Sequence, residues 1–361
     1  MGLRRKAVQE LYAWHAQRDS RALLVTGARQ VGKTYLVEEF IRDYYEHVIK
    51  FDLVEQPHVL KAFNAANNVD ELFMAITAFA DTSLVPGKTV IFIDGIQECG
   101  EAFTAIKYLV KHKEYDFVLS GSLLEVELRN VRSLPVGSLR IVNMYPFDFE
   151  ESCWANGVGP EALDYVREGF SHRKPVLSAV HDRLLTLFHH YLMVGGMPAA
   201  VQEFVSTQNL QEARSIQEGI LNLYRRDISQ YAPADDRPAI QEIFDQVPTQ
   251  LDSQGKRFTF ASIAPRGTYE RYKNQVHWLI EAHVVLPVLN VTEPRHPLKL
   301  HESQSYFKLF MNDVGLLTCS YGLEAMKRIL CAGPRYLLWL SLRERGGTRA
   351  RGLWARPALL P

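Results

Sequence analysis

The sequence is short of most features that mark secreted, membrane-spanning or nucleic-acid-coating proteins. It has only four cysteines in 361 residues, Cys99, Cys153, Cys319 and Cys331, far apart and without a CxxC pair. That argues against a zinc site and a disulfide framework, and fits a reducing cytoplasm. No segment approaches the ~18 consecutive apolar residues of a membrane span. The N-terminal "MGLRRKAVQELYAWHAQRDS" is basic and then amphipathic, with no apolar signal core. Gly2 is not in a myristoylation context, because Lys6 stands where Ser or Thr is required. Lys plus Arg equals Asp plus Glu at 41 each, so no overall basic excess advertises nucleic acid; only a local basic face remains open. Internal repeats and low-complexity tracts are also missing. What is left is the composition of an ordinary globular protein, 47% hydrophobic and 23% charged, with length enough for two domains. The expected location is cytoplasmic, with no membrane partner.

Short apolar runs alternate with helix-length stretches through residue 150. Strands are expected at "ALLVT" (22–26), "HVIKF" (47–51), "TVIFID" (89–94), "FVLSG" (117–121) and "LRIVNM" (139–144), with helices over 32–44, 69–80 and 101–113. That alternation predicts an α/β fold whose parallel sheet is covered by helices on both faces. Residues 1–154 therefore read as one domain. The Gly/Pro-marked 155–175 reads as a linker. From 176 to 325 the pattern is mostly helical (176–193, 199–205, 208–231, 238–251), then a long amphipathic helix and two strand-like runs, "VLPVLNV" and "YFKLFMN". That order suggests a winged helix-turn-helix.

Within the first strand-helix pair lies "GARQVGKT", Gly27, Ala28, Arg29, Gln30, Val31, Gly32, Lys33 and Thr34, an eight-residue phosphate loop in its proper context. Its glycines let the backbone curl so that successive N–H groups point inward at phosphate oxygens, and the helix N-terminus adds partial positive charge. Lys33 would reach the β and γ phosphates of ATP, and the Thr34 hydroxyl would ligate Mg2+.

Asp94 closes the apolar strand "VIFID" about 60 residues later, where a carboxylate can hold the same magnesium. The alternative is a strand-terminal Asp capping the next helix. "FVLSGS" ends another strand in hydroxyls, so Ser120, with Ser122 as the second choice, is a candidate for the γ-phosphate or the attacking water, against the plainer role of turn former. The position after Asp94 is Gly95, where a nucleotide hydrolase usually carries the carboxylate that activates water. Glu98, one helical turn on, is a substitute candidate.

"GARQVGKT", "FIDGIQEC", "LSGSLLEVEL", "MYPFDFEE", "YLMVGGMPAAV" and "LYRRDISQYA", followed by "FKLFMNDVGLL", resemble a prokaryotic family of AAA-like P-loop ATPases with a C-terminal domain of unknown function. The resemblance spans roughly residues 3–325. It implies a five-stranded AAA-type sheet, a helical segment, a winged helix and a nuclease-like C-terminal fold. It also implies Glu-Ile-Gln after the metal-binding Asp, where this chain has Gly95-Ile96-Gln97.

Other candidates carry less. Arg225 and Arg226 directly precede Asp227 on a helix; Arg226 is a candidate arginine finger, in cis or from a neighbouring copy in a homo-oligomer, against a salt-bridged helix face. Arg29, Arg129 and Arg132 are further finger candidates. His181, His189 and His190 read as packing or surface, since adjacent histidines point to different sides of a helix. "VGGMP" (194–198) reads as a turn between two helices. Lys256, Arg257, Arg266, Arg271 and Lys273 form a modest basic cluster of the kind that contacts DNA phosphates. The last segment, 326–361, is Arg-rich with no clean period, and is expected to be the remnant of a missing C-terminal domain, as a shifted reading frame would leave; no nuclease constellation is expected in it.

The expected function is Mg-ATP binding by an AAA-like ATPase, with hydrolysis slowed because Gly95 replaces a catalytic Glu. The alternative is a non-hydrolysing, nucleotide-gated module that binds DNA or protein.

Overall fold

The computed structural model describes residues 3–332, apart from 18, 113, 124–134, 254–256 and 294. Two compact units emerge, Arg5–Tyr145 and the rest of the described chain.

In the first unit, β1 (Ala22–Gly27), β2 (His47–Asp52), β3 (Thr89–Asp94), β4 (Asp116–Gly121) and β5 (Leu139–Met144) form a parallel sheet in the order β2-β3-β4-β1-β5. Helices α1 (Val8–Ala16), α2 (Lys33–Tyr44), α3 (Pro57–Ala65), α4 (Val69–Phe79) and α5 (Gly100–Leu109) accompany it. A strand buried on both faces must be apolar throughout, and β1 is buried at all six positions.

Successive strand residues alternate between the two faces. On one face Leu24, Ile49, Phe51, Ile93 and Leu119 pack with Phe63, Leu72, Ile76 and Phe103 of α3, α4 and α5. Each such side chain contributes roughly 1.5–3 kcal/mol on burial. Residues of the other parity, Val25, Val90, Phe92 and Val118, are also buried. That second face is the α2 side: Lys50, partner of Phe92 in the ladder, reaches Glu38 of α2 with Nζ 2.6 Å from Oε1.

Local signals explain the helix starts. The Asn68 side chain accepts from the Glu71 N–H at 2.9 Å, capping α4, and Pro57 occupies the first turn of α3.

The second unit holds α6 (Phe149–Ala155), α7 (Pro160–Ser171), α8 (Ser178–Val194), α9 (Pro198–Thr207), α10 (Leu210–Tyr231), α11 (Arg237–Asp252) and α12 (Tyr269–Glu281). The antiparallel pair β6 (Val285–Val291) and β7 (Glu302–Met311) follows, then α13 (Val314–Ser320) and α14 (Leu323–Ala332). Asp148 and Glu151 form a reciprocal capping box at α6. Phe258 and Phe260 stack on Phe307 and Tyr272, at centroid distances of 6.1 and 5.5 Å, tying the segment before α12 to that helix and to β7.

Two expectations differ from what is found. Residues 155–175, expected as a linker, contain α7: Gly159 and Pro160 punctuate a helix start instead of breaking structure, and Leu163 packs with Cys153 and Val158. The tail expected from 326 begins inside α14, whose Met326 and Ile329 bury against Leu192 and Met193 of α8. Residues 333–361 lie outside the described residues.

The turn expected at "VGGMP" is held by a distant acid. Gly195 ends α8 at φ 72°, the left-handed region that favours glycine. The fully buried Asp313 carboxylate accepts from the Gly196 N–H at 2.6 Å and from the Leu316 N–H at 2.9 Å, capping α13. Burial pushes its acid up to about 6, against the pull of the backbone donors of Gly196, Leu316 and Gly315.

Candidate nucleotide site

The phosphate loop joins β1 to α2 as the sequence predicts. Gly32 caps α2 at φ 88°, in the left-handed region, with no side-chain cap and no acid in the first turn. The N–H groups of that turn are thus left for an anion, and the helix dipole favours one. Gly27 must be glycine on two counts. Its φ is 143°, and a Cβ there would sit 2.2 Å from the Met144 carbonyl oxygen of β5. Gln30 also adopts a positive φ, 67°, inside the loop.

Lys33 is buried, with Nζ donating to the carbonyls of Gly27 at 3.1 Å and Ala28 at 2.8 Å. It folds back over the loop that a phosphate would fill. Burial lowers its ammonium to about 8; the nearby Asp94 opposes this, and Arg29 adds to it.

Thr34 Oγ1 donates to Asp94 Oδ2 at 2.6 Å. The other oxygen of Asp94 accepts from the Ser120 hydroxyl and from the Gly95 N–H at 3.0 Å. Ser120 is fully buried. The ladder explains the meeting: Asp94 of β3 is the register partner of Ser120 of β4. A hydroxyl and a carboxylate oxygen in contact are the hard donor set that magnesium takes. Thr34 and Asp94 would hold the ion, which when bound would neutralise phosphate charge.

Gly95 lies at φ 72°, ψ 32°, opening the short turn Ile96–Glu98. Glu98 is exposed there, its Oε1 3.4 Å from the Gln97 side-chain nitrogen. Among the candidates, Lys33, Thr34, Asp94 and Ser120 are brought together by the sheet.

Arg226 is exposed on α10, in the second unit, while its neighbour Arg225 pairs with Asp245 of α11 at 3.0 Å, the salt-bridged helix reading. Arg129, Arg132 and Lys256 lie outside the described residues. His190 packs edge-on against Phe204 at 5.0 Å, and no group of three metal-ligating side chains occurs among the described residues. No helix there is long and apolar enough to cross a membrane.

Two residues of the loop's surroundings were not singled out by the sequence. Arg5 is buried and donates to the Val31 carbonyl at 3.2 Å and the Tyr145 carbonyl at 2.5 Å, pinning the loop to the end of β5. Asp52, the last residue of β2, is the register partner of Asp94. Nothing in a basic N-terminus marks a buried arginine, but a strand reading extended by one residue would have found the aspartate.

Residues 19–153 match the model of an AAA domain, and residues 185–327 that of a domain of unknown function. No curated protein matches the chain. Among solved structures, the Walker-type ATPase of Pyrococcus abyssi is 12% identical with a TM-score of 0.50, covering 89% of this chain and 96% of that one, a likeness of fold. The Aeropyrum pernix ORC1 protein in complex with DNA matches at 11% identity and TM-score 0.31, over 90% and 93% of the two chains. The Thermotoga maritima RuvB Holliday junction branch migration motor matches at 11% and 0.34, over 86% and 92%.

Proposed function

Starting from an AAA-type P-loop ATPase domain at residues 19–153, followed by a domain of unknown function, we propose that the protein binds Mg-ATP and hydrolyses it slowly. The observation that carries this reading is the contact of Thr34 with Asp94, beside a helix start that has no side-chain cap. Backbone N–H groups of Gly27–Thr34 would hold the phosphates. Lys33 would leave the loop carbonyls for the β and γ phosphates, and Ser120 would steady Asp94 or the attacking water. Hydrolysis is slow because Gly95 supplies no carboxylate beside the metal-binding Asp94. Calorimetry with a non-hydrolysable ATP analogue tests the binding, and phosphate release under saturating Mg-ATP tests the rate.

A second reading is a nucleotide-gated module in which α11, α12 and the β6–β7 pair act as a winged helix on DNA. What favours it is local charge. Residues 253–311 hold eight Lys and Arg against four Asp and Glu, in a chain whose net charge is zero. Arg257, Arg266, Arg271, Lys273, Arg295 and Lys299 are exposed. A gel shift on duplex DNA, with and without ATP, separates the two: absence of any shift at low salt removes the DNA reading.

A further inference from the structure

We propose that Asp52 is the carboxylate that takes the proton of the attacking water, standing in for the side chain that Gly95 lacks. This rests on the reading of the site as a slow ATP hydrolase and names the residue that sustains the turnover left without a carboxylate at Gly95.

The argument is one of register and face. Asp52, Asp94 and Ser120 are successive ladder partners on β2, β3 and β4, so they form one row across the sheet. Neighbouring strands lie about 4.8 Å apart, and partners in a parallel ladder project to the same face. That face is the α2 side: Lys50, two residues before Asp52, reaches Glu38 of α2, and Asp94 reaches Thr34 at its start. The row lies at the carboxyl edge of the sheet: its Ser120 end adjoins β1, which leads into the phosphate loop, and Asp52 stands on the outer strand.

The chain that follows Asp52 also packs against residue 95. A Cβ placed on Gly95 would meet Val54 Cγ2 at 3.1 Å and Leu53 Cβ at 3.8 Å. The Leu53 N–H also donates to the Asp94 carbonyl at 3.0 Å, carrying the pairing one residue past the strands. The chain leaving Asp52 therefore lies where a side chain at 95 would begin.

Asp52 also has an oxygen to use. Its Oδ1 accepts from the N–H groups of Val54 and Glu55, both at 3.0 Å, which fixes the carboxylate in a tight turn. Its Oδ2 accepts no hydrogen bond among the described residues. Glu98, by contrast, is exposed and lies in the turn after Gly95.

The step balances simply. The water oxygen bonds to the γ-phosphorus as the bond to the β,γ-bridging oxygen breaks, and that electron pair leaves with ADP. One water proton passes to Asp52 and then to solvent.

The structural role of Asp52 separates from the chemical one through Asp52→Asn, whose Oδ1 can still accept the two turn bonds. Asp52→Ser, with a hydroxyl acceptor and no carboxylate, is the second variant should the first fold poorly. Phosphate release should fall at least tenfold in each, since general-base help is typically worth ~10²–10⁴. The ratio of affinity for a non-hydrolysable ATP analogue to that for ADP should rise severalfold, because a negative charge beside the γ-phosphate is removed. Turnover close to that of the unaltered protein, or an unchanged ratio, overturns the proposal. So does an unaltered protein that binds the analogue and releases no phosphate. An unaltered protein with no saturable binding heat removes the underlying hydrolase reading as well, and calorimetry alone shows it.

Discussion

Thr34 and Asp94 are 60 positions apart in the chain, yet the Thr34 hydroxyl donates to Asp94 Oδ2 at 2.6 Å. One stands at the first turn of α2 and the other at the tip of β3, so the contact exists only because the sheet is wound in the order β2-β3-β4-β1-β5. The hydrogen bond sets the two oxygens side by side where the phosphate loop meets the sheet.

That contact predicts a magnesium requirement. In Asp94→Asn, the added ion should no longer improve binding of an ATP analogue. In the unaltered protein, chelating magnesium should weaken binding by about tenfold or more, the loss of a charge bridge worth ~1.4 kcal/mol. Calorimetry with and without the ion reads both. Equal magnesium dependence in the two proteins would remove Asp94 as a ligand.

Gly95→Glu should change stability and rate in opposite directions. A non-glycine residue at φ 72° costs roughly 1–2 kcal/mol, and its Cβ would press on Val54 at 3.1 Å. The thermal midpoint should therefore fall by a few degrees. A carboxylate beside Asp94 should raise phosphate release about tenfold or more, with little change in affinity, since Lys33, Thr34 and Asp94 are untouched. A lower midpoint without faster release would show that the water is not reached from position 95.

Gly27→Ala is expected to be more damaging, because the obstacle is backbone. The new Cβ would lie 2.2 Å from the Met144 carbonyl oxygen, in a conformation that side chains rarely adopt. Separating β1 from β5 there should cost about 3 kcal/mol, seen as a lower thermal midpoint and weaker nucleotide binding together. A variant with the midpoint of the unaltered protein would contradict the tight approach.

The second unit carries a pH-dependent contribution from Asp313. Its folded acid, at about 6, lies above the unfolded value of 3.8, so the native state binds the proton more tightly. The resulting stabilisation is fully present below about 3.8 and is lost as pH rises through about 6, an effect of up to ~3 kcal/mol. Against the usual acid loss from other carboxylates, this shows as a difference in slope. Between pH 4 and 6 the stability of Asp313→Asn, lower overall, should lack that decline. Parallel pH curves for the two proteins would refute it.

Much of this was legible before any fold. The five strands were readable because a sheet covered on both faces needs unbroken apolar runs, and the loop because its spacing is set by phosphate geometry. Ser120 and Asp94 were readable as strand tips. Asp52 was not, because its partnership with Asp94 follows from strand order and from one more residue at the end of β2. Helix α7 was hidden by Gly159 and Pro160, which serve equally as breakers and as helix starts. The buried Asp313 carries no signal in the sequence, because Gly195 and Gly196, which lie against it, are over a hundred positions away.

The central claim is that Gly27–Thr34 is a nucleotide site served by Lys33. Titrating a non-hydrolysable ATP analogue with magnesium into the unaltered protein and into Lys33→Ala tests it most directly. The account predicts a saturable one-site isotherm for the first and binding weaker by at least about tenfold for the second, since a buried cation meeting phosphate is worth ~1.5–3 kcal/mol. No saturable heat in the unaltered protein, or equal affinity in the two, would contradict it.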